Sequence, residues 1–162
     1  MVPSPRVCED ALLTSTTRPT PSSPRVSAQM SRQRRRDTRP ELLIRRELHR
    51  RGFRYRVSRR VLLGLRSAPD IVFGPAKVAV FVDGCFWHGC PQHATWPASN
   101  AQWWRTKIER NQQRDLATDA VLSAAGWEVI RIWEHDDPVE AADLVERIVR
   151  RRRPGGTQAG GR

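Results

Sequence analysis

Residues 70–73 and 77–82 are short runs dominated by β-branched and aromatic side chains, and Gly74 and Pro75 lie between them. Two such runs joined by a turn predict a strand hairpin. After Asp70 the first run is entirely apolar (Ile71, Val72, Phe73), so the hairpin belongs inside a buried sheet and needs other elements to cover it. The flanking sequence supplies them. Thr38, Arg39, Pro40 and Glu41 have the spacing of a capping box, in which the Thr hydroxyl accepts from the Glu backbone N–H and the carboxylate reaches back. The helix it starts runs to about Arg51 and stops at Gly52. Phe53, Tyr55 and Val57 alternate with Arg54 and Arg56, the period of a half-buried strand. Asn100 or Ser99 is placed to cap a long helix that runs to about Ala125 and closes at Gly126. Trp127 to Trp133 alternates again, and Asp137 with Pro138 starts a last helix. The order helix, three strands, helix, strand, helix predicts an α/β fold: a mixed sheet with helices on its faces, its fourth strand reached by a helical crossover.

Five prolines within residues 1–29 forbid a regular element there, and residues 151–162 are basic and Gly-rich. Both ends read as disordered tails around a single domain over residues 30–150. The chain carries 29 Lys and Arg against 17 Asp and Glu, a formal charge of +12. Trimming both tails leaves the domain basic, which points to a polyanion such as nucleic acid. An arginine-rich coding bias is the competing explanation, because only two of the basic residues are lysines. No apolar run reaches the length of about 18 that a membrane span requires, and no apolar signal segment opens the chain. A soluble, cytoplasmic, nucleoid-associated protein is expected. Three cysteines, with Cys85 and Cys90 close together, suit metal binding better than a disulfide framework.

Asp70 follows Pro69 and sits at the mouth of the first buried strand. Pro-Asp is also an ordinary turn former, but the next strand ends Phe81, Val82, Asp83 and delivers a second carboxylate. Two acids on adjacent strands can build a Mg²⁺ site completed by water and phosphate oxygens.

The segment from Cys85 to His93 holds two thiols and two imidazoles. Cys85, Cys90 and His93 are three ligands for a tetrahedral zinc, and His135, just past the last strand, is the natural fourth. The alternative is two buried free thiols beside surface histidines. His88 is then left over as an imidazole near the carboxylates, the usual general base for a water. On the long helix Trp104, Ile108, Asn111 and Asp115 share one face. Asp115 is placed to hold the far nitrogen of His88, or else is solvated at the edge of that stripe. Phe86, Trp87 and Trp104 are large rings in a basic setting, suited to stacking on or wedging between bases, or simply to covering the metal.

The run APDIVFGPAKVAVFVDGCFWHGCPQH, followed by WWRTKIERNQQRD and GWEVIRIWEH and preceded by MSRQRRRDTRPELLIRREL, resembles the very short patch repair (Vsr-type) mismatch endonuclease family over about residues 27–149. The resemblance implies a restriction-endonuclease-like fold with a zinc-stabilised loop. It implies an enzyme that nicks one strand of double-stranded DNA beside the thymine of a T:G mispair left by 5-methylcytosine deamination. In those terms Asp70 is the Mg²⁺ ligand, with the backbone carbonyl of Val82 beside it; His88 is the base, and Asp115 and Asn111 support it. Cys85, Cys90, His93 and His135 hold zinc, although ligand types vary between Cys and His in the family. Phe86, Trp87 and Trp104 intercalate from the major groove, and Met30 wedges from the minor groove side. No lysine follows Asp83, so the lysine of the general restriction-nuclease pattern is absent, a feature the family shares. A functional link to a cytosine-5 DNA methyltransferase and a monomeric state are further expectations.

Overall fold

A computed structural model describes residues 36–153. The expected tails over residues 1–29 and most of 151–162, and the proposed wedge Met30, lie outside them. The elements are α1 (Arg39–Arg50), β1 (Arg56–Val57), β2 (Ile71–Phe73), β3 (Val78–Asp83), α2 (Ala101–Ala124), β4 (Glu128–Trp133) and α3 (Pro138–Arg152). Among the described residues no helix is long and apolar enough to cross a membrane.

The four strands form one mixed sheet in the order β1-β2-β3-β4. β1 pairs antiparallel with β2 and β2 antiparallel with β3, the expected hairpin. β3 pairs parallel with β4 from Val78 opposite Glu128 to Asp83 opposite Trp133, with α2 as the crossover. Because side chains alternate along a strand, β3 feeds two cores. Val78 and Val80 join Ile44, Leu48, Ile130, Ile132, Val145 and Val149 beneath α1 and α3. Ala79 and Phe81 face the other way, against Leu122 of α2, with Val61, Leu62, Leu65 and Trp127 packed on them. Each fully buried Val, Leu or Ile contributes on the order of 1.5–3 kcal/mol, so the parallel pair is anchored from both faces.

Three local expectations are corrected. The first strand is only two residues long, and Val57 is exposed rather than inward. Phe53 and Tyr55 do turn inward, edge-on to Phe73 with centroids 6.0 and 5.9 Å away, but the ladder covers only Arg56 and Val57, because β2 ends at Phe73 and the chain turns at Gly74 and Pro75. At α1 the Thr38 hydroxyl does not cap the backbone. It donates to Glu41 Oε1 at 3.0 Å, while Glu41 Oε2 accepts from the Asp37 N–H. Asn100 makes no side-chain cap either, because it adopts a left-handed conformation. Asp137 does cap α3, accepting from the N–H groups of Val139 and Glu140.

Candidate active site

Where β3 and β4 end and β2 begins, the sheet opens into a cleft of about 850 Å³ walled by α1, α2 and the turn after β3. Asp70, Val82, Asp83, His88, Asn111 and Asp115 all line it, as do Trp87 and Trp104. The hairpin brings Asp70 here, since its N–H donates to the Val80 carbonyl and so continues the β2–β3 ladder.

Asp70 Oδ2 accepts from the Val82 N–H at 2.8 Å. Burial pushes the Asp70 carboxyl up to about 6; the Val82 hydrogen bond opposes this, and the charges of Glu41 and Asp83 add to it. No cation bonds this carboxylate among the described residues. A half-buried acid facing other acids is the donor chemistry that a hard divalent ion satisfies.

Asp83, the second acid expected near the metal, reaches the same cleft but meets a cation of its own. Both its oxygens accept from Arg131 Nη1, at 2.9 and 2.8 Å. Arg131 also forks onto Asp119, with Nε to Oδ2 at 2.9 Å and Nη2 to Oδ1 at 3.0 Å, and lies 4.8 Å from the centroid of Phe81. The sequence reading missed it. Its signal was present: on β4, Arg131 sits between Val129 and Trp133 on the same face of the sheet, and a cation there needs acids around it.

His88 Nδ1 lies 2.6 Å from Asp115 Oδ2 and 3.6 Å from Asp83 Oδ1. Burial works to lower the His88 pKa, but the Asp115 hydrogen bond and the charges of Asp83 and Asp115 outweigh it, leaving the imidazole above its ordinary value. Asp115 moves the opposite way: the His88 hydrogen bond and nearby cations overcome burial and hold it low. With Nδ1 tied to Asp115, Nε2 is the nitrogen that can take up a proton. The turn bearing His88 is fixed by α2. Asn111 Nδ2 donates to the Trp87 carbonyl at 2.9 Å, and Gln112 Nε2, also missed from sequence, donates to the His88 carbonyl at 3.1 Å. Gly89 allows this approach, because its φ is +65° and a Cβ there would stand 2.6 Å from Gln112 Nε2 and 2.9 Å from Ile108.

On the far side of the same turn, one ligand atom from each of Cys85, Cys90, His93 and His135 lies within 4.8 Å of the others. Cys85 Sγ is 3.0 Å from His135 Nδ1, and Cys90 Sγ is 4.0 Å from both His93 Nδ1 and His135 Nδ1. A tetrahedral zinc with Zn–S of about 2.3 Å and Zn–N of about 2.0 Å sets its ligands on the order of 3.3–3.8 Å apart, so the four fit. Glu134, another residue missed from sequence, accepts from the Cys85 N–H at 2.7 Å and ties the end of β4 to this turn. Glu41, read only as a helix cap, also reaches the cleft, where it is buried and paired with Arg45 at 2.8 Å.

Phe86, Trp87 and Trp104 form an edge-on cluster with centroids 5.1 to 6.0 Å apart, all partly exposed. Trp103, not singled out from sequence, extends it at 4.8 Å from Trp104.

Comparison with known proteins gives a consistent result. The sequence pattern of the family described as DNA mismatch endonuclease Vsr matches residues 21–93. The type II nicking enzyme V.NaeI of Lentzea aerocolonigenes is 43% identical over 131 residues, 80% of this chain and 79% of that protein. The type II nicking enzyme V.XorIIP of Xanthomonas oryzae pv. oryzae is 42% identical over 65% of this chain and 76% of its own length. The DNA mismatch endonuclease Vsr of Escherichia coli is 34% identical over 43% of this chain and 46% of its own.

Proposed function

Because the chain belongs to the Vsr family of DNA mismatch endonucleases and is thus a DNA-nicking nuclease, we propose that it hydrolyses one phosphodiester beside the thymine of a T:G mispair. The observation that carries the cleavage part of this reading is the meeting, in one cleft, of a half-buried carboxylate lacking a cation and an imidazole–carboxylate pair at 2.6 Å. Asp70 and the Val82 carbonyl would hold Mg²⁺, which when bound polarises the scissile phosphate. His88 Nε2 removes the proton from the attacking water, and Asp115 keeps the imidazole in the tautomer and orientation that permit it. Asp83 and Arg131 stand behind this pair as a fixed charge couple.

Trp87 and Trp104 on the cleft wall, with Phe86 packed against both, are rings able to enter a base stack. A mispaired step costs less to unstack than a matched one, which supplies part of the selectivity. The lesion class links the enzyme to cytosine-5 methylation, and a single site per monomer suffices for a single-strand nick. Single-turnover assays on T:G and T:A duplexes of one sequence test the reading. Nicking is expected for the T:G duplex in Mg²⁺ and not in EDTA; equal nicking of both duplexes would mean recognition of a matched site instead.

Zinc is proposed at Cys85, Cys90, His93 and His135, where it holds the turn that carries His88. Elemental analysis is expected to find one zinc per chain. Cys90→Ser should lose it and lower the melting temperature as well as the activity; active protein free of zinc would refute the assignment.

A further inference from the structure

Several arginines at the ends of α1 and α3 are held in ion pairs. On α1 and α3, Arg50 and Arg51 pair with Glu47, Arg51 also with Asp143 and Glu146, Arg150 with Glu146, and Arg151 and Arg152 with Glu128. The loop between β1 and β2 is different. Between Glu47 and Asp70 the sequence has no acidic residue, and loop residues Arg59, Arg60 and Arg66 are all exposed. None of these three has an ion pair or hydrogen bond among the described residues.

The loop is nonetheless held in place. Val61, Leu62 and Leu65 pack against the core of Ala79, Phe81 and Leu122, and the Ser67 hydroxyl lies 3.2 Å from that of Thr118 on α2. Leu63, at the tip beside Gly64 with its φ of +82°, is fully exposed. A single exposed leucine is ordinary on a protein surface. A rigid loop that presents one beside three unpaired guanidinium groups is a surface with both an electrostatic and an apolar component.

The position of the loop identifies its occupant. β1 runs antiparallel to β2, so the loop leaves the sheet at the end where Asp70 stands, and its last residues, Ser67 and Ala68, line the catalytic cleft. A polyanion that enters the cleft must pass this loop. Guanidinium forks match phosphate oxygens, and the polyanion the enzyme cuts is a duplex.

We propose that the β1–β2 loop is a DNA-docking element distinct from the catalytic residues, in which Arg59, Arg60 and Arg66 each take a backbone phosphate outside the cleft and Leu63 packs on the duplex between them. The proposal rests on the nuclease reading but not on mismatch recognition, since phosphate contacts carry no sequence information.

The test is binding of a labelled, fully matched duplex to the full chain over a range of salt concentrations. Each neutralised phosphate contact contributes about 0.9 to the slope of log K against log salt. Arg59→Gln, Arg60→Gln and Arg66→Gln are each expected to reduce the slope by about that amount, and equally on a T:G duplex. Arg147→Gln, an exposed arginine on α3, should leave it unchanged. Leu63→Ser should weaken binding roughly threefold to tenfold with no change in slope. Unchanged slopes in the three loop variants would overturn the proposal, as they would if the loop served an acidic protein instead. An unchanged affinity in Leu63→Ser would remove the apolar contact. Wild-type protein that binds matched duplex with the expected slope but shows no preference for T:G would contradict the mismatch reading and leave this one standing.

Discussion

Asp70→Asn is expected to abolish nicking while making the metal-free protein more stable. The amide keeps the side-chain volume and an oxygen to accept from the Val82 N–H, so the 2.8 Å contact survives, but the anionic ligand is lost. The stability effect follows from burial. The Asp70 carboxyl is raised from 3.8 to about 6, so between those pH values the folded state binds more proton than the unfolded state, and stability falls as pH rises through the window. Above about pH 6 the ionised carboxylate carries the full penalty, on the order of 3 kcal/mol, which Asn does not. A higher melting temperature for Asp70→Asn than for wild type at about pH 7.5 without added Mg²⁺, with duplex binding retained, is the expected pair of results. Substantial Mg²⁺-dependent nicking by the variant would remove Asp70 from the centre of the mechanism.

His88→Ala is expected to reduce the single-turnover nicking rate by roughly 10²–10⁴, the range supplied by a positioned acid–base group. The fold should survive, because Asn111 and Gln112 hold this turn through the backbone carbonyls of Trp87 and His88 rather than through the imidazole. DNA affinity should likewise remain near wild type. Asp115→Asn should follow in the same direction with a smaller loss, since it alters the tautomer that His88 presents without removing the ring. A His88→Ala rate within a few-fold of wild type would make the 2.6 Å His88–Asp115 contact a structural one.

Much of this site could be read from the chain because its determinants are local. Gly74 and Pro75 between two apolar runs force the hairpin, and the hairpin register alone carries Asp70 to Val82. The spacing of Cys85, Cys90 and His93 brings them together within one turn, and His135 needed only the parallel pairing of β3 with β4 to join them. Asp115 was legible because the helical period puts it on the face of Ile108 and Asn111, which packs inward. The residues that were missed draw their meaning from where the fold places them. Arg131 is meaningful only once β4 lies against β3, where Asp83 is 48 positions away. Glu41 keeps local partners in Asp37, Thr38 and Arg45, and only the packing of α1 against the sheet shows that it lines the cleft. The alternation of residues 53–57 was real, but β2 ends at Phe73 and leaves Phe53 and Arg54 with no strand to pair with.

The catalytic and recognition halves of the account meet at a single bond in the DNA. Mapping the product of wild-type cleavage on a duplex with one central T:G mispair and each strand separately labelled tests both. The expected result is one nick, in the strand carrying the mispaired T and at a phosphodiester next to it, with the opposite strand intact and the matched duplex uncut. Cleavage of both strands, or a nick at the same sequence when the mispair is restored to T:A, would contradict the account.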